Sequence, residues 1–191
     1  MPPKAKITKE MVIGAGFEIV RSEGQEGLNA RRIAAELGCS TQPVMYHFKT
    51  MDELKADVYA AADAFHTEYI MRDCEKAKDP MLSIGLNYIR FAEKEKELFR
   101  FLFQSDKFRN IGLSELSESE DTGFLIRPLT EQSGLAPEQA KKVFETLFVC
   151  VHGFASLLAN NSMEYNEAHC AEILTNTYIS AVEHIKKGEA K

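Results

Sequence analysis

Leu28-Asn29-Ala30-Arg31-Arg32-Ile33-Ala34-Ala35-Glu36-Leu37-Gly38-Cys39-Ser40-Thr41-Gln42-Pro43-Val44-Met45-Tyr46-His47-Phe48-Lys49 reads as a helix, a tight turn and a second helix. Asn29 is a favourable N-cap, because its side-chain oxygen can accept one of the orphan amides of the first turn. Ile33, Ala34 and Leu37 share one helical face, and Gly38 stands where a helix ends, tolerating the left-handed backbone of a C-cap. Ser40 is placed to cap the second helix. Pro43 fits only within that helix's first turn, where its missing N–H has no intrahelical partner, so the helix is predicted to start near Thr41.

Two short helices joined by a glycine turn form the helix-turn-helix unit, whose second helix enters the major groove with its N-terminal residues against base edges. Thr41, Gln42, Met45 and Tyr46 are the predicted outward positions. The block of Arg31, Ile33-Ala34, Gly38, Ser40, Tyr46, His47-Phe48-Lys49 and Glu53-Leu54 resembles the N-terminal domain of the TetR family of bacterial transcriptional regulators. The resemblance spans about residues 7 to 60. It implies an all-α homodimer, each subunit with a three-helix DNA-binding domain and a larger C-terminal helical domain that takes a small-molecule effector. Gln42, Pro43 and Met45 depart from the family pattern where its members differ, which leaves the operator sequence open.

Outward from this stretch, Thr8 caps a first helix over residues 9–22, with Met11, Val12, Ala15, Ile19 and Val20 as its inward stripe and Phe17 beside it. Residues 1–6 read as a disordered basic arm. Thr50 and Glu53 form a capping box, so a helix begins directly after Lys49, and its N-terminus with Lys49 offers a phosphate site. Arg31, Ser40, Thr41, Gln42, Met45, Tyr46, His47 and Lys49 are the candidate DNA-binding residues. The fourth helix is predicted over 51–78 and would act as a lever between the domains, placed at 1–50 and 51–191.

Asp79-Pro80 opens a helix to Lys94. The run Leu98-Phe99-Arg100-Phe101-Leu102-Phe103 imitates a strand but has no partner, so it reads as a short buried helix. Residues 105–123 are polar and predicted to be a mobile connection with a short helix near 111–116. A helix bent at Pro128 follows, then two long ones over 137–160 and 166–187. These are apolar on more than one face, making them the expected dimer surface, with Leu147 and Ala181 in it.

The chain has 191 residues, 45% hydrophobic and 27% charged, enough for one or two globular domains. No run approaches about 20 apolar residues, and residues 1–6 are too short and polar for a signal peptide, so a cytoplasmic protein with no membrane partner is expected. The net charge of −6 divides unevenly: the stretch up to Lys49 carries +2 and the remainder −8. A mildly basic head on an acidic body suits contact with phosphates at one end. Cys39, Cys74, Cys150 and Cys170 lack C-x-x-C spacing, and His47, His66, His152, His169 and His184 lack metal-ligand spacing. Neither metal, cofactor nor disulfide framework is indicated, and no nucleophile elbow or phosphate loop marks an enzyme.

Twelve Phe, six Tyr and seven Met lie mostly after residue 60. Phe65, Tyr69, Tyr88, Phe91, Phe99, Phe103, Phe124, Phe148 and His152 are candidates to line a cavity for an apolar or aromatic effector. The sequence thus points to a DNA-binding regulator, a repressor released from a duplex operator by that effector. An effector-independent regulator and a helical interaction module without DNA binding remain open alternatives.

Overall fold

The computed structural model describes residues 7–105, 113–118 and 122–189, with ten α-helices and no strand among them. They are α1 (Lys9–Glu23), α2 (Ala30–Glu36), α3 (Thr41–Tyr46), α4 (Met51–Met71), α5 (Pro80–Lys94), α6 (Lys96–Phe103), α7 (Leu113–Glu118), α8 (Gly123–Ser133), α9 (Pro137–Ala159) and α10 (Glu167–Glu189). The all-α expectation holds. The basic arm of residues 1–6 and most of the connection after residue 105 lie outside the described residues, and the short helix there falls at Leu113–Glu118.

The chain forms two compact units, Met1–Thr67 with Glu95–Phe108, and Glu68–Lys94 with Arg109–Lys191. This division differs from the expected boundary at residue 50. The first four turns of α4 and all of α6 belong with α1–α3, because close packing and ion pairs hold them there. A Cβ on Gly16 of α1 would stand 2.7 Å from Val58 Cγ2 of α4, so only glycine permits this approach of the two helices. Arg21 of α1 grips Glu95 at the start of α6, and the Tyr59 hydroxyl donates to the Leu102 carbonyl at 3.1 Å.

In the first unit, Thr8 Oγ1 accepts the Met11 amide and caps α1, while Val12, Ile19 and Val20 are buried. Met11, expected inward, is 40% exposed, since the buried stripe of α1 runs through Val12, Ala15, Gly16 and Ile19. Gly24 ends the helix at φ +78°, and a side chain there would collide with the Glu97 carboxylate.

In the second unit, α5 packs against α8, α9 and α10. Gly85 marks the crossing, where an added Cβ would meet Leu174 of α10 at 3.1 Å and Val151 of α9 at 3.4 Å. A cluster of Ile126, Leu129, Leu135, Ala140, Val143, Phe144 and Val182 is buried among α8, α9 and α10.

The expected helix over 51–78 ends early, at Met71. Asp73 turns left-handed at φ +59°, a conformation in which a helix cannot continue, and a 3₁₀ turn follows over Cys74–Lys76. The buried Asn87 of α5 then donates to the Ile70 carbonyl at 3.1 Å and the Arg72 carbonyl at 3.0 Å, satisfying the end of α4. By length and composition α9 is apolar enough to cross a membrane, as the core helix of a globular unit also can be; Val143, Val151, Ala155 and Leu158 are buried within the unit, while Val149 and Leu157 face outward.

Candidate nucleic-acid interface

The helix pair forms from local signals. Asn29 Oδ1 accepts the Arg32 amide at 3.0 Å, and after α2 the Cys39 amide reaches Ala34 O at 2.9 Å while Gly38 N–H reaches Ala35 O at 3.2 Å. With Gly38 at φ +62° this is a Schellman termination, which reverses the chain into α3. Ser40 is extended but makes no side-chain cap, so its expected capping role is not realised. Burial of Val44 and Phe48 seats α3, leaving the other face outward.

On that face Thr41, Gln42 and Tyr46 are exposed, Tyr46 at 82%. Met45, expected to be exposed, is half-buried because it lies beside Val44 on the edge of the seat. Arg31 and Arg32 are adjacent but differ in role. Arg32 is clasped by Glu23 and Glu36 at 2.7–2.9 Å, whereas Arg31 is exposed and takes no part in that cluster. Ser40 and Lys49 are also exposed.

The N-terminus of α4 is internally closed. Thr50 Oγ1 accepts the Glu53 amide at 3.2 Å, and the Glu53 carboxylate accepts the Lys49 amide at 2.7 Å. The reciprocal bond of the expected capping box therefore goes to Lys49 rather than Thr50. With a carboxylate already seated at this helix end, the expected phosphate site reduces to the Lys49 ammonium. His47, half-buried, is engaged elsewhere: its Nε2 lies 2.9 Å from the Ile7 carbonyl. A carbonyl only accepts, so Nε2 carries the proton.

The nine effector candidates fall into both units. Phe65, Phe99 and Phe103 belong to the first. Phe65 packs edge-on to Phe17 beneath the Arg21 guanidinium, and Phe99 and Phe103 pack with centroids 5.0 Å apart. The other six belong to the second. Tyr69 and Phe91 pair at 5.3 Å, Phe124 is 37% exposed, and Tyr88, Phe148 and His152 come together, with the Tyr88 hydroxyl 3.0 Å from His152 Nδ1 and the His152 ring stacked on Phe148. Burial lowers the His152 pKa. A groove of about 480 Å³ in the second unit is lined by Lys78, Asp79, Leu82, Ser83, Leu86, Asn87, Arg90 and Glu167, and includes none of the nine.

Two polar features were missed in the sequence. Asn87 interrupts the apolar face of Ile84, Tyr88 and Phe91, and such a lone amide was the available signal. Glu167 joins Arg90 at 2.7 Å and the Tyr165 hydroxyl at 3.1 Å across 77 residues of chain, which no local pattern announces.

No known family model and no curated protein matches the chain. Among solved structures it is similar to a protein of unknown function from Rhodococcus sp. RHA1, at 18% identity and a TM-score of 0.71, covering 96% of this chain and 98% of that one. It is similar also to a TetR-family member from Streptomyces coelicolor A3, at 18% identity and TM-score 0.62, covering 88% and 96% of the two chains. A third, assigned as a TetR-family transcriptional regulator from Mesorhizobium loti MAFF303099, aligns at 18% identity and TM-score 0.58, covering 92% and 93%. The chain has a TetR-like fold.

Proposed function

We propose that this TetR-like chain is a homodimeric, sequence-specific DNA-binding transcriptional regulator, a cytoplasmic repressor that a small apolar or aromatic effector releases from its operator. The observation that carries the reading is α3, which presents Thr41, Gln42 and Tyr46 outward over the buried Val44 and Phe48. A short, rigidly seated helix with polar side chains in its first turn suits major-groove readout. Arg31 and Lys49, exposed beside it, suit backbone phosphates.

Dimerisation is supported by apolar residues that the isolated chain leaves outward on its last two helices. Val149 and Leu157 of α9 are 58% and 49% exposed, and Ile179 of α10 is 47% exposed. Between the first two lies Gly153, exposed, where a Cβ would meet nothing. Two copies closing this face would set two α3 helices for two half-sites. The Tyr88, Phe148 and His152 cluster, an aromatic patch with a polar handle, suits an aromatic effector. As α4 contributes residues to both units, it is the element through which such a ligand would act. Its effect would equal its differential affinity for the two arrangements.

Selection of bound sequences from random duplex DNA tests the reading. A recovered motif with two-fold symmetry supports it. Failure to enrich any sequence, with the protein folded and dimeric, would favour a helical interaction module.

A further inference from the structure

The Arg90 guanidinium of α5 is fixed on one side and engaged on the other. Its Nη1 donates to Asn87 Oδ1 at 2.9 Å, and Asn87, 7% exposed, is itself held by the bonds it donates to the Ile70 and Arg72 carbonyls. Its Nη2 donates to Glu167 Oε2 at 2.7 Å at the start of α10, so the guanidinium already binds one carboxylate. Both partners line the groove of about 480 Å³, a volume suited to a small molecule. Leu82 and Leu86, one turn apart on α5 and half-buried, lie between Arg90 and the Lys78-Asp79 end of the groove. Asp79 is engaged there, its Oδ1 accepting the Leu82 amide at 3.0 Å and Gln132 Nε2 at 3.2 Å, whereas Lys78 is exposed.

The Glu167 carboxylate is the exchangeable member of this set. Its side chain is 53% exposed against 35% for Arg90, and an ion pair so open to water contributes little. A second carboxylate offers Arg90 the same acceptors, so the exchange itself is nearly neutral. With Glu167 withdrawn, the charged lining residues are Lys78 and Arg90 against Asp79 alone, 2 − 1 = +1, which favours an anion. An apolar chain on the incoming acid would also cover Leu82 and Leu86, a burial that Glu167 cannot supply.

We propose that this groove binds a carboxylate carrying an unbranched apolar chain, its head displacing Glu167 from Arg90 and its chain lying along Leu86 and Leu82 toward Lys78. The groove shares no lining residue with the Tyr88, Phe148 and His152 cluster, so it is a second site, and its occupation releases the first turn of α10 from α5.

The test is titration calorimetry of the full chain with decanoate below its micelle-forming concentration, against decanol and decylamine. Decanoate should bind saturably, decanol more weakly and decylamine not at all. Arg90→Gln should weaken decanoate about tenfold, as expected for losing a hydrogen bond between charged groups. Glu167→Gln should instead tighten it, because the competitor for Arg90 is weakened; a merely structural ion pair predicts loss in both variants. Amide exchange over residues 168–171 should quicken when decanoate binds. Decanoate that fails to saturate, binds no better than decanol, or is indifferent to both substitutions overturns the proposal. So does loss of binding in Phe148→Leu with Arg90→Gln unaltered, which would place the acid in the aromatic cluster. Binding is measured without DNA, so failure to bind the acid and failure to bind a duplex are separate outcomes.

Discussion

The Arg21 guanidinium holds the Glu95 carboxylate through two donors, Nε at 2.8 Å and Nη2 at 2.5 Å, joining α1 to the start of α6 across 74 residues of chain. Arg21 also covers the Phe65 ring, 5.4 Å from its centroid. Glu95 is the more enclosed partner, its side chain 11% exposed against 39% for Arg21. Two donors on two separate carboxylate oxygens make this a bidentate ion pair, stronger and more directional than a single contact.

Replacing Glu95 with Gln removes the charge and one acceptor while keeping the shape. The half-exposed arginine limits the loss, which should be about 1 kcal/mol. Urea unfolding should show a lower midpoint at unchanged slope, with faster amide exchange in α6. Unaltered exchange would mean that apolar packing alone holds α6 in place.

Gln42 and Lys49 should separate base reading from backbone contact. A Gln amide in the first turn of α3 can pair with adenine N6 and N7, so Gln42→Ala should cost roughly 1 to 3 kcal/mol on the operator and relax one base position per half-site. Lys49→Ala should weaken all sequences alike and lower the salt slope by about one per subunit. Binding to operator and scrambled duplex across a salt series decides it. The assignment fails if Lys49→Ala alters base preference while Gln42→Ala does not.

The dimer contact is best probed at Val149. Leu147 and Ala181, the positions singled out by sequence, pack against the buried α8–α9–α10 cluster, so arginine there would disrupt the subunit itself. Val149→Arg instead places a charge on a face that is open in the single chain and would be closed in the proposed dimer. An unpaired buried charge costs several kcal/mol. Sedimentation should show monomer at concentrations where the unaltered chain is dimeric, with an unchanged circular dichroism spectrum. Persistent dimer would move the interface elsewhere.

His66 gives acid sensitivity. It is 7% exposed, its ring edge-on to Phe103 at 5.0 Å, and burial pushes its pKa from 6.5 down to about 4. Between these values the unfolded chain binds a proton that the folded chain does not, so stability falls as the pH drops. The loss begins below about pH 6.5, is complete near pH 4, and is on the order of 3 kcal/mol. His66→Phe should flatten this part of the stability profile, measured by urea midpoints from pH 7.5 to 4. An equally steep profile in the variant would assign the sensitivity to other groups, such as His152, whose pKa burial also lowers.

The recognition stretch was legible because its determinants are local. The Asn29 cap, the left-handed Gly38 and the tolerated Pro43 each act within a few residues, so their consequences could be read in order along the chain. The same holds for the starts of α5 and α9 at Pro80 and Pro137, and for the short buried helix α6. Helical periodicity also identified part of the core, since Val12, Ile19, Leu54 and Val58 are buried as their spacing requires.

Tertiary structure decided what local patterns leave degenerate. Nothing near residue 71 announces the end of α4. It ends there as the chain turns left-handed at Asp73, and Asn87, from a distant helix, takes the Ile70 and Arg72 carbonyls. Periodicity places Val149 and Leu147 on an apolar helix but cannot say which side faces a neighbour, because α9 is apolar over more than one face. Only its packing against α5, α8 and α10 leaves Val149 outward and Leu147 half-buried. Arg21 meets Glu95 to join α1 to the start of α6, and Arg32, beside the exposed Arg31, is clasped because Glu23 arrives from α1. Backbone propensity acts over one or two turns, whereas these pairings are set by which distant side chains the fold brings within hydrogen-bonding range.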